Sequence, residues 1–244
     1  MKSQSTTDVQ LSVIVPAYNE EDRIASGIKE ILEFLQSEQN PKWELVVVDD
    51  GSEDDTPYII DKIISGDDRA RLIRYSPNRG KGFAVRTGVL DAVGYWIIFL
   101  DADLSTPVDE ISNALLLLEG GADLVVGTRA HSDSCIEVEP SLFRRTASYV
   151  FDLVRKNIVG LDEFSDTQCG FKAARGQAVV PLYKRAIVDR FMFDVEILFL
   201  AHRSGLNIKE LPVVWRDSPG STVRLWPGVY EMFRDLLLIR RVHG

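Results

Sequence analysis

Tyr95-Trp96-Ile97-Ile98-Phe99-Leu100-Asp101-Ala102-Asp103 decides the fold. An unbroken apolar run ends abruptly in two carboxylates that flank one alanine. A run this short, bounded by Gly94 and by acids, predicts a strand buried on both faces of a sheet. Upstream, Leu11 to Val15 is a second apolar run, ending at Pro16. Ile24, Ile28, Ile31, Leu32 and Leu35 follow at helical spacing. Trp43 to Val48 predicts a strand closed by Asp49-Asp50-Gly51-Ser52, and Ile59, Ile60, Ile63 and Ile64 mark a helix. Arg71 to Tyr75 predicts a strand and Gly82 to Val93 a helix weakened by Gly88. Downstream, Val108 to Leu118 predicts a helix and Ala122 to Val126 a strand. This alternation predicts an α/β fold, a mostly parallel central sheet flanked by helices on both faces. Ligands of such sheets bind outside the carboxyl ends of the strands. The polar clusters at 16–21, 49–52 and 101–103 all follow strands, so the acids are expected along one edge.

The second half is less regular. Ala130 to Pro140 reads as a polar loop, and Ser141 to Ile158 as a helix carrying Arg144, Arg145, Arg155 and Lys156. Asp166 to Lys172 reads as a loop entering a short strand. Phe193 to His202 reads as a helix, Ile208 to Trp215 as extended, and Trp226 to Val242 as an apolar-rich helix. No repeat, linker or low-complexity tract interrupts the chain. The expected organisation is a flexible tail at 1–10, one α/β domain at 11–225, and an amphipathic C-terminal helix at 226–244.

The 244 residues can bury a substantial core in one large domain or two small ones. With 45% hydrophobic and 27% charged residues the composition excludes disordered, collagen-like and disulfide-scaffold chains. A net charge of -9 makes the chain a poor general nucleic-acid binder, because phosphates would repel it, although local basic clusters could still bind an anion. Cys135 and Cys169 lie in unlike contexts, which suits a reducing compartment. His131, His202 and His243 form no zinc pattern and read as structural or solvated, His243 at a frayed terminus. The first ten residues lack a signal peptide's apolar centre, and no run approaches the ~20 apolar residues of a membrane span. The chain is expected in the cytoplasm, without a membrane-spanning anchor.

Asp101 and Asp103 repel each other unless a proton or cation intervenes. A hard divalent ion with oxygen ligands, Mg²⁺ or Mn²⁺, resolves the conflict and commonly holds substrate phosphates too. Taken alone, one aspartate serves equally as a cap for the helix starting near Pro107. Asp49-Asp50-Gly51-Ser52 alone reads as a turn and cap. Pro16-Ala17-Tyr18-Asn19-Glu20-Glu21 offers a ring to stack on a base and acids to accept from its N–H groups. Asn78-Arg79-Gly80-Lys81-Gly82 sets two cations among glycines before a helix, which suits a phosphate as well as an ordinary turn.

In this order, these four motifs resemble the family 2 glycosyltransferases of the GT-A fold. The resemblance implies that Pro16, Ala17, Tyr18, Glu20 and Asp50 line the base and ribose site, with Lys81 near the donor. Asp101 would face ribose or metal, and Asp103 would be the main metal ligand. Val126-Gly127-Thr128-Arg129, Asp166 to Lys172, Phe193-Asp194-Val195-Glu196, and Trp215 with Pro219-Gly220-Ser221 are similar to the dolichyl-phosphate glucosyltransferase branch. The likeness runs from about residue 11 to 235. Two departures stand out. Ser105 occupies the place where mannose synthases carry a metal-binding glutamine. The N-terminal membrane helix common in eukaryotic glucosyltransferases of this branch is not seen.

The implied reaction is inverting transfer of glucose from UDP-glucose to a polyprenyl or dolichyl phosphate. A phosphate acceptor arrives largely deprotonated, its second pKa being ~6, so it needs a neutralising cradle more than a general base. By resemblance, Arg129 and Arg144 or Arg145 supply it, with Ser148 as an added hydroxyl. Asp166 and Glu196 are the candidate acids, weighted toward positioning substrate. Leu225 to Val242, with Arg224, Arg234, Arg240 and Arg241 interspersed, could lie on a membrane surface, pack on the sheet or join a homodimer. Rival readings are a GDP-mannose enzyme, a hydroxyl acceptor, a non-catalytic nucleotide-sugar binder, and a phospho-acceptor signalling domain. The last usually has its acidic pair after the first strand and about half this length.

Overall fold

The computed structural model describes residues 8–37, 41–130, 134–136, 152, 154–215 and 225–244. Strands β1 (Leu11–Ala17), β2 (Trp43–Asp49), β3 (Ala70–Arg74), β4 (Trp96–Leu100), β5 (Leu124–Thr128), β7 (Phe171–Arg175) and β8 (Ile208–Pro212) form one sheet in the order β3-β2-β1-β4-β7-β5-β8. Only β7 runs against the rest, pairing antiparallel with both β4 and β5. A small second sheet pairs β6 (Cys135–Ile136) with β9 (Val214–Trp215).

Side-chain alternation along the central strands sorts the apolar residues between two layers. Val13, Val15, Leu45, Val47, Ile98 and Leu100 face α1 (Ile24–Leu35), α2 (Thr56–Ile64) and α4 (Glu110–Glu119). Ile14, Val46, Val48, Ile97 and Phe99 face α3 (Lys81–Asp91), α5 (Gly176–Arg185), α6 (Phe193–Arg203) and α7 (Leu225–His243). Each fully buried Leu or Ile in these layers contributes about 1.5–3 kcal/mol.

The expected sheet with helices on both faces is what forms. Several boundaries differ. The helix expected from Val108 begins at Glu110, and the strand expected at 122–126 occupies Leu124–Thr128, because the Gly120-Gly121 turn carries Ala122 N–H back to the Leu117 carbonyl. Gly88 does not mark weakness. A Cβ there would overlap the Ile14 side chain, so the glycine lets α3 lie close against β1. Helix α5 was not anticipated; Pro181 masks a stripe in which Val179, Leu182 and Tyr183 are buried.

Gln10, expected at the end of a tail, already donates to the Lys42 carbonyl and accepts from Trp96 N–H. The C-terminal helix docks through Leu236 and Ile239, both buried in the second layer. Its Tyr230, Phe233 and Leu237 stay exposed. His243, expected at a frayed end, bonds Glu196 at 2.8 Å. Among the described residues, no helix is long and apolar enough to cross a membrane.

Candidate active site

Strands β1, β2 and β4 release their polar clusters at the same sheet edge because all three are parallel. The strand order reverses between β1 and β4, where open parallel sheets leave a crevice. Because β7 is antiparallel, its start lies at that edge too, beside the end of β5. The edge thus collects residues 16–21, 49–52, 101–103, 128–129 and 166–172.

The first two clusters are sewn together. Asp50 N–H donates to the Ala17 carbonyl, Asn19 N–H to Ser52 Oγ, Glu20 N–H to Thr56 Oγ1, and Glu53 N–H returns to Asn19 Oδ1. Tyr18 keeps its ring 39% exposed at this edge, which suits stacking. Pro16 and Ala17 end β1, both buried. The Glu20 carboxylate is paired with Arg23. Asp50 follows directly on β2. It is buried, and its oxygens accept from Arg79 N–H and Gly80 N–H at 2.8 Å and from Asn78 Nδ2 at 2.7 Å. These bonds make it an anchor of the glycine loop that starts α3.

That loop delivers Lys81, whose Nζ lies 2.5 Å from Asp101 Oδ1. Burial would lower the lysine pKa, but Asp101 and Asp194 outweigh it and hold the ammonium charged. Asp103 does not cap α4; its Oδ1 accepts from Ser105 N–H at 3.0 Å and Ser105 Oγ at 2.8 Å, closing a local turn. Among the described residues, no three His, Cys, Asp or Glu side chains group to hold a metal. Two carboxylates nevertheless suffice for Mg²⁺ or Mn²⁺ when phosphates and water supply the remaining oxygens. The room is built: a Cβ at Gly170 would overlap the Asp101 carboxylate. Gly170→Ala should therefore push Asp101 aside and weaken Mn²⁺ binding about tenfold. Titration of Mn²⁺ by electron paramagnetic resonance, beside a melting curve that barely moves, checks this.

At the end of β5, Arg129 clasps Asp166 with Nε at 2.6 Å and Nη2 at 3.0 Å, and its own N–H adds a third contact at 3.1 Å. Burial pushes the Asp166 carboxyl up, but Arg129 more than reverses this and holds it below the usual range. The guanidinium also stands 5.7 Å from the Trp215 ring centre. Since the clasp uses Nε and Nη2, the other guanidinium edge is directed away from the aspartate.

Glu196 is not brought to this cluster. It is fully buried, and its oxygens accept from Ile187 N–H and Val188 N–H at 2.9 Å and meet His243. The expected catalytic acid is a structural post between α6, the 187–188 loop and α7. Glu196→Ala should cost about 3 kcal/mol by stranding the buried Val188 N–H, the part-buried Ile187 N–H and the buried His243 ring. Turnover per folded molecule should stay within about threefold, as denaturant melts and initial rates will show. Arg144, Arg145 and Ser148 lie outside the described residues, as do His131 and Pro219-Gly220-Ser221. Lys172 and Asp194, both quoted above without a role, form a buried ion pair next to the site. A charge inside the apolar runs 171–174 and 193–201 was the signal, because such charges require buried partners.

The model of the family described as glycosyl transferase family 2 matches residues 12–172. The chain belongs to that family. The transferase is 34% identical to the dolichyl-phosphate β-glucosyltransferase of Saccharomyces cerevisiae, over 98% of this chain and 77% of that protein. It is 35% identical to the mouse protein of the same name, over 95% of this chain and 75% of that one. Among solved structures, glucosyl-3-phosphoglycerate synthase of Mycobacterium tuberculosis, crystallised with Mn²⁺ and UDP-glucose, aligns with a TM-score of 0.68 at 21% identity. The alignment covers 96% of this chain and 79% of that chain. At this identity the likeness establishes the fold, a GT-A architecture, and so the transferase carries its motifs on the expected scaffold.

Proposed function

We propose that the transferase moves glucose from UDP-glucose to the phosphate of a polyprenyl or dolichyl lipid, with Mg²⁺ or Mn²⁺ at Asp101 and Asp103. The names of its relatives support the sugar and the acceptor. The Mn²⁺ and UDP-glucose in a protein of the same fold support the donor and the cation. The observation that carries the acceptor is Arg129, a guanidinium fixed by Asp166 at the same edge as the aspartates.

Tyr18 stacks on the base, and Pro16, Ala17 and Glu20 border the nucleoside. Asp50 holds the glycine loop so that Lys81 reaches the diphosphate. A cation held by Asp101 and Asp103 would neutralise charge on the diphosphate as it departs. Arg129, with Arg144 or Arg145 and Ser148, holds the acceptor phosphate. A phosphate oxygen attacks the anomeric carbon, that carbon's bond to UDP breaks, and the bonding pair leaves on the diphosphate. One in-line displacement inverts the α-linked donor into the β-linked product. Asp166 orients Arg129 and takes no proton, because the incoming oxygen is already ionised.

The exposed Tyr230, Phe233 and Leu237 of α7, with Arg240 and Arg241 beside them, suit contact with the headgroup region of a membrane's cytoplasmic face. A homodimer would instead bury this stripe, and sedimentation with and without anionic vesicles separates the two. For the reaction, the protein is incubated with UDP-glucose, GDP-mannose and other nucleotide sugars, a short polyprenyl phosphate or polyprenol, and either cation. Lipid-linked glucose from UDP-glucose and the phosphate alone is expected. Transfer from GDP-mannose or to the free alcohol would replace this assignment.

A further inference from the structure

Lys172 and Asp194 come from different elements, β7 and the first turn of α6, and both are only 4% exposed. Lys172 Nζ donates to the Asp194 carboxylate and, at 3.0 Å, to the Cys169 carbonyl. Burial raises the Asp194 pKa, against the pull of Lys172 and then Lys81. Such a pair is a poor source of stability, because desolvating two charges offsets their attraction, and apolar residues of like volume do as well. Its location supplies a different reason.

The carbonyl that Lys172 grips belongs to the turn containing Gly170. That turn touches Asp101 twice: the Gly170 carbonyl accepts Asp101 N–H at 3.2 Å, and the missing Cβ makes room for the Asp101 carboxylate. On the other side, the ammonium groups of Lys172 and Lys81 stand 5.3 and 5.9 Å from the centre of one ring, Phe99. Lys81 then pairs with Asp101. Asp101, Lys81, Asp194 and Lys172 thus form a quartet with no net charge, half of it sealed from water.

We propose that Lys172 and Asp194 are positioning residues for the diphosphate-cation site: they fix the Cys169-Gly170 turn against which Asp101 rests and balance the charge that keeps Lys81 beside it. Neither touches substrate. The assignment rests on the donor reading given above.

The test replaces both charges together, with Lys172→Met and Asp194→Leu in one full-length chain, so that no buried charge is stranded. The melting temperature should stay within about 5 °C of wild type. Affinity for Mn²⁺ in the presence of UDP, measured by calorimetry, should fall about tenfold. At saturating Mn²⁺ the turnover number should return to within about threefold of wild type, because the reacting groups are all present. A double variant that folds and binds Mn²⁺ and UDP like wild type overturns the proposal and leaves the pair a packing feature. If the double variant fails to fold, Lys172→Arg decides, since it keeps the charge but puts a longer, planar guanidinium where a compact ammonium fits, which must shift the Cys169-Gly170 turn. Several-fold weaker Mn²⁺ binding supports the proposal, and unchanged binding overturns it. Failure of the wild-type protein itself to bind Mn²⁺ and UDP would sink the donor reading instead, so the two outcomes stay distinct.

Discussion

Asp103→Asn is expected to abolish transfer and leave the fold intact. The expected fall in turnover is at least ~10³, equal to about 4 kcal/mol of lost transition-state stabilisation. The reason is charge: an amide oxygen is a poor ligand for a hard cation that must also hold a diphosphate. The fold survives because Asp103 is half-exposed, and because an asparagine oxygen still accepts from Ser105 N–H and Oγ. Steady-state rates with saturating Mn²⁺, read beside a melting curve, decide it. Full activity in this variant would remove the metal role from Asp103.

The second large effect lies at the acceptor end. Arg129→Ala alone would strand Asp166, which is only 9% exposed, and confound binding with stability. The pair is therefore better removed together, as Arg129→Ala with Asp166→Ala. The KM for polyprenyl phosphate should rise about thirtyfold, about 2 kcal/mol, with UDP affinity within twofold of wild type. Equal losses for donor and acceptor would contradict the placement of Arg129 at the lipid phosphate. The pair has a pH signature as well. Asp166 titrates below its ordinary range in the folded protein, so its contribution is full above the unfolded-state pKa of ~4 and is lost as pH falls below that.

Two kinds of information were unequally legible in the sequence. Strands β1, β2 and β4 are buried on both faces, so each is a largely apolar run, with the buried Ser12 and Glu44 paired to each other, and the polar residues that follow each run mark the sheet edge directly. The motifs at 16–21, 49–52 and 101–103 therefore indicated the fold and the sheet edge on which the proposed site lies. Roles that depend on partners far along the chain were not legible. Nothing in the stretch around Asp50 shows that Asn78, Arg79 and Gly80 bond to it. Glu196 and Asp194 stand two apart on one helix, yet one meets His243 and the other Lys172, because α6 is buried all round. Arg155, read as one of several basic helix residues, is fully buried and donates to the Leu161 and Phe164 carbonyls, shaping the loop that leads to Asp166. Periodicity reports which face is apolar, but not which charge a buried charge will meet.

The most direct measurement is a crystal structure of the protein with UDP and Mn²⁺, with manganese located by anomalous scattering. A single peak is expected about 2.2 Å from an Asp103 oxygen and from diphosphate oxygens, at the crevice between β1 and β4, with the uracil on Tyr18. Manganese bound elsewhere, or nucleotide in place with Asp103 turned away from it, would contradict the account.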